Sequence, residues 1–163
     1  MRLSVMLRAA VGIAILAVFS GAWAYAYQAS ARRNTCRLAG DAVPRANAFL
    51  RKSVLPDRVD FETAEATAYG EALDRIYENA QIYPNWRSEY PKFLSLRLDF
   101  VGRSRTNQVI SEVRNFRGPY LRAKKVTLYG PPVGSPGHEF SVQLALRDAK
   151  ESVGSLKRFA KEC

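Results

Sequence analysis

The side chains that could do chemistry are few and poorly assembled. His138, the single histidine, stands in Pro136-Gly137-His138-Glu139, and no second histidine follows at the helical spacing a zinc site uses. It reads as a turn residue. A Cys36–His138 nucleophile pair would need a tertiary proximity that nothing in the sequence supports, and a disulfide at Cys36 would remove the thiolate. Ser135, between Gly134 and Pro136, lacks the Gly-x-Ser-x-Gly spacing of a nucleophile elbow, and no phosphate-cradling glycine loop opens a helix. Glu71, Asp74 and Glu78 recur at helical spacing with Arg75 among them, which describes a solvated face rather than a paired acid and base. The expectation is a chain with no catalytic residue, metal or cofactor.

The two cysteines have a clearer use. Cys36 and Cys163 are an even pair in a chain whose start looks like an export signal, and one disulfide between them would tie the ends of the exported part together. That start is Arg2 and Arg8 followed by an uncharged run from Ala9 to Ala26, long enough as a helix for roughly 27 Å, the thickness of a bilayer's hydrocarbon core. Trp23, Tyr25 and Tyr27 suit an interfacial belt and favour an uncleaved anchor. Ala22-Trp23-Ala24 and Ala24-Tyr25-Ala26 also fit signal-peptide cleavage, so a soluble periplasmic or secreted form stands as the alternative.

Setting Arg2 and Arg8 apart from the formal net charge of +10 leaves the exported part at +8. Such an excess favours anionic surfaces or acidic partners. Nucleic acid is excluded by the export address and by the lack of a basic-aromatic strand motif. Two features could carry recognition: the aromatic loop with Tyr83, Trp86, Tyr90 and Phe93, and the basic run Arg114, Arg117, Arg122, Lys124 and Lys125. Core capping and edge-strand protection are the plainer uses of the same residues.

The elements that would position these groups divide as a leader at 1–27, a helical stalk or linker at 28–60 and a domain at 61–163. Arg33 to Leu50 has helical spacing interrupted at Pro44. Phe61 to Gln81 reads as an amphipathic helix capped by Asp60. From Leu94 the period changes to two, predicting a strand at 96–101. A helix at 103–117 stopped by Gly118-Pro119, strands at 120–129 and 139–146 joined by a Gly/Pro turn, and a last helix after Asp148 complete the order. The predicted fold is α+β: an N-terminal membrane helix, then a small antiparallel three-stranded sheet, β-α-β-β, packed with helices.

Strand Leu96 to Val101, helix Asn107 to Phe116, strand Lys125 to Tyr129 and strand Glu139 to Leu146 resemble half of a ferredoxin-like domain. Together with one membrane span and a stalk, this order is similar to the single-pass inner-membrane assembly-platform subunits of type II secretion and type IV pilus systems. The resemblance implies a bacterial inner-membrane protein with a periplasmic C-terminal domain that scaffolds protein partners and dimerises. The alternative is a cleaved, soluble periplasmic binding module for an acidic or glycan ligand.

Overall fold

The computed structural model describes residues 2–85 and 92–163. For 2–28 (apart from 11, 12, 15 and 18), for 31, for 82–85 and for 92–107 the description is of the backbone alone. The described chain is helical: α1 Arg2–Lys52, α2 Ala64–Asn85, α3 Lys92–Tyr129 and α4 His138–Glu162. The helices alternate in direction, each packing on its chain neighbours, with α4 closing the ring on α1.

The expected α+β sandwich, with its three-stranded, ferredoxin-like sheet, is therefore corrected to an all-helical bundle among the described residues. Residues 96–101 and 125–129 lie inside α3, and residues 139–146 form the first turns of α4. In α4 the buried positions are Ala145, Leu146, Asp148, Ala149, Ser152, Val153, Leu156 and Phe159, a stripe of period three to four, while Phe140 faces solvent. Alternation over eight residues cannot exclude a helix when apolar side chains also sit on its outer face. Gly118-Pro119 does not stop α3 either. Pro119 removes the N–H that would reach the Asn115 carbonyl, yet Ile110, Val113, Phe116, Tyr120 and Ala123 continue one buried stripe through it.

The single-pass inner-membrane placement is corrected as well. Among the described residues no helix is long and apolar enough to cross a membrane, against the expected transmembrane helix and signal anchor. Residues 9–26 belong to α1, with side chains mostly outside the described set. From residue 32 onward α1 is an amphipathic bundle helix that buries Thr35, Ala39, Ala42, Ala46 and Phe49 and exposes Arg32, Arg33, Arg37 and Arg45.

Two connectors fix the hairpins. Between α1 and α2, Val54 and Val59 form an isolated antiparallel bridge, with Leu55 N–H donating to Arg58 O and Asp60 N–H to Ser53 O. Thr63, rather than Asp60, caps α2: its hydroxyl accepts the Ala66 N–H at 3.1 Å, while Asp60 takes the Glu62 N–H. Between α3 and α4, Gly137 stands before the helix with φ 89°, a left-handed conformation that suits glycine.

All four helices meet in an aromatic knot. Phe49 of α1 stacks on Tyr69 of α2 at 5.1 Å, and Tyr120 of α3 meets Phe49, Phe61 and Tyr69 edge-on at 5.8, 5.4 and 5.3 Å. Ser152 of α4 donates to the Phe116 carbonyl at 2.7 Å and so accepts the Tyr69 hydroxyl at 2.9 Å. The Tyr120 hydroxyl donates to Ala66 O at 2.8 Å, directly above Gly70. Loss of hydration, and secondarily Asp74, pushes the Tyr120 hydroxyl up to about 12. Burial raises Tyr69 too, against the opposing effect of Ser152.

A methyl at position 70 would lie 2.6 Å from Tyr120 Oη, which its bond to Ala66 holds in place. Gly70→Ala is expected to destabilise by about 1–3 kcal/mol, despite the better helix former, read as a lower urea midpoint at unchanged slope. Because Tyr120 is raised in the folded chain, its contribution is complete below pH 10 and is lost as pH rises through about 12. Tyr120→Phe should flatten the loss of stability across that window in urea titrations at stepped pH. An unchanged slope would show that another group carries it.

Candidate functional site

Cys36 and Cys163 are joined by a disulfide with Cα atoms 5.6 Å apart, closing α4 onto α1 across a separation of 127 residues. On the chain-entropy argument a loop of that size contributes up to about 5 kcal/mol. The aromatic loop cannot be assembled from what is described. Trp86 and Tyr90 lie outside the described residues, and Tyr83 and Phe93 are placed only by the backbones of α2 and α3.

The basic run divides by function. Arg117 donates to Asp74 Oδ1 from Nε at 2.9 Å and Nη2 at 2.7 Å, and its guanidinium lies 4.3 Å from the Tyr77 ring centre. This pins α3 to α2. Arg122 donates from Nε to Asp148 Oδ2 at 2.9 Å, while Arg147 stands 3.4 Å from Oδ1. The Asp148 side chain is 1% exposed, so Arg122 compensates a carboxylate that α4 carries into the interior. Lys124 and Lys125 are exposed, with no ion pair among the described residues.

Those two lysines lead to a surface that the strand assignment hid. Leu128 and Tyr129, one helical turn beyond Lys124 and Lys125, project from the end of α3. Val133 crowns the connector and Phe140 stands on the first turn of α4. Tyr129, Val133 and Phe140 are 81%, 86% and 73% exposed. Of these four only Val133 lines the cleft of about 330 Å³ that runs between the hairpin and the 53–63 connector, together with Arg58, Val59, Val126, Pro131, His138 and Val142 among others.

The connector's polar side chains bond to its own carbonyls. His138 Nδ1 is 2.9 Å from Pro131 O, and Ser135 Oγ donates to Pro132 O at 2.6 Å. These contacts stiffen a connector already limited by its prolines. Among the described residues no cluster of three His, Cys, Asp or Glu side chains could hold a metal. What this geometry can do is present apolar side chains, held rigid, next to cations. In the sequence the signal was Tyr129 and Phe140 flanking Gly130-Pro131-Pro132-Val133-Gly134-Ser135-Pro136-Gly137, a stiff turn with an aromatic on each side.

Removing Arg122 leaves Asp148 buried with only the longer contact to Arg147. Arg122→Ala is expected to cost about 1–3 kcal/mol in chemical unfolding, whereas Lys124→Ala should stay within about 0.5 kcal/mol. Equal effects would refute the division of the basic run. The β-α-β-β order that carried the likeness to secretion and pilus platforms is replaced here by two long helices. No protein-family model, curated protein or solved structure matches the chain.

Proposed function

We propose that this protein is an extracytoplasmic, non-catalytic binding module that docks an apolar, acid-flanked segment of a partner protein at the tip of the α3–α4 hairpin. One observation carries the reading: Leu128, Tyr129, Val133 and Phe140 are all exposed within the α3–α4 connector and the helical turns that flank it, with Val133 on the lip of a cleft. Grouped exposed aromatics and aliphatics are what interface anchors look like, and water is a poor reason to retain them. Lys124 and Lys125 supply the rim that prefers acidic residues on the partner.

The disulfide supports the address, because such a bond persists in a periplasmic or secreted setting and rarely in the cytosol. It also supports the role. With α4 fixed to α1 at one end, the tip at the other is held as a rigid surface that needs little ordering on contact.

A photo-cross-linking residue in place of Phe140, expressed in the native cell, tests the reading. The expected result is a discrete adduct that disappears when Tyr129→Asp and Val133→Asp are added, with no adduct from the same probe at Lys150 on the outer face of α4. No adduct at 140, or the same adducts at both positions, overturns it. Helix content and melting of the double variant should match the parent, since both side chains lie outside the core.

A further inference from the structure

The pole opposite the tip has the reverse character. We infer that the disulfide end of the bundle is a docking face for the anionic phospholipid headgroups of a bilayer surface. Around Cys36–Cys163, α1 exposes Arg32, Arg33 and Arg37, and the last turns of α4 expose Lys157, Arg158 and Lys161. The bond between the two cysteines holds these two groups of cations together where α4 ends against α1.

Among the described side chains of α1 and α4 near the disulfide, two carboxylates, Asp41 and Glu162, accompany these six cations, and Glu78 of α2 stands next to Asn79, which bonds Thr35. Asp41 pairs with Arg37 at 3.5 Å across one helical turn, and Glu162 lies on the α4 side. Arg33 Nε donates to its own helix at Ala29 O, and Arg158 to Ser155 Oγ, so both keep their charge uncompensated. Lys150, Lys157 and Lys161 follow one another at i, i+7 and i+11 along one exposed side of α4, so the positive charge continues along that helix.

Two features favour a lipid surface over an acidic protein. The collar exposes no large apolar side chain of its own among the described residues, and the buried centre of a protein interface needs one. Beyond the collar α1 runs on, exposing Val11, Ile15 and Val18 at i, i+4 and i+7, a single apolar stripe on the same helix as Arg32 and Arg33. Cations and an apolar stripe on one helix, about 21 Å apart along it, can meet headgroups and the outer acyl region together when the helix lies along the surface. The collar is independent of the tip, which stands at the other end of α1.

Flotation of the full chain with two vesicle types tests this: phosphatidylcholine alone, and phosphatidylcholine with about a third phosphatidylglycerol. Any affinity of the apolar leader is common to both, so the difference isolates charge. Phosphatidylglycerol vesicles should bind the chain more tightly, and that excess should vanish at high salt. Neutralising Arg33→Gln, Lys157→Gln and Lys161→Gln together should reduce it about a hundredfold, at about fivefold per cation, while Lys124→Gln with Lys125→Gln leaves it unchanged. All five side chains are exposed, and circular dichroism should show the helical content of the parent. Equal binding to both vesicle types overturns the inference, as does equal loss from the tip variant. Preferential capture by polyglutamate over vesicles of matched charge would assign the face to an acidic polypeptide and overturn it too.

Discussion

A buried hydroxyl must find a partner, and the bundle is arranged around meeting that demand for Tyr69. Its hydroxyl reaches Ser152 on α4, whose own proton goes to the Phe116 carbonyl on α3, while the ring stacks on Phe49 of α1. One side chain thereby reads the position of all the other helices. An apolar core of similar volume would tolerate sliding of one helix along another; a directional chain of two hydrogen bonds tolerates little. Gly70 serves the same knot by letting Tyr120 lie against the α2 backbone and donate to Ala66 O.

With the register of the helices set in this way, the two ends of the molecule acquire separate chemistry. From Cys36 to Lys52 the first helix covers about 24 Å, enough to keep the cationic collar well away from the exposed aromatics of the hairpin tip. Neither end asks for a reactive group. The buried ionisable residue best placed to attract attention, Asp148, is spent on holding α3 to α4 through Arg122.

How much of this could be read from residues alone depended on the length over which a pattern persisted. The stripe from Ala64 to Ala80 spans several turns, and the helix starts within a few residues of where the pattern puts it, although Thr63 rather than Asp60 provides the cap. The pairing of Cys36 with Cys163 needed only their number and the character of the leader. Leu96 to Val101 and Phe140 to Leu146 were read from six or seven residues each, a window in which alternation and a helix with one exposed apolar side chain look alike. Phe140 was decisive: placed in a strand at 139–146, it was not read as the exposed first turn of a helix, and the tip was missed with it. Gly118-Pro119 added a false stop, because the local cost of a proline is visible in sequence while the packing of Phe116, Tyr120 and Ala123 that outweighs it is not.

The bond between Cys36 and the last residue has a further consequence for how the molecule would fail. Among the described residues, the connectors at 53–63 and 130–137 both fall inside the covalent ring it closes. A protease that cuts one connector opens that ring without releasing a fragment, and the two pieces stay linked while their helices remain interleaved. Damage that would dismember an ordinary hairpin pair leaves here a nicked molecule of unchanged mass but for one added water, still able to hold both of its surfaces in place.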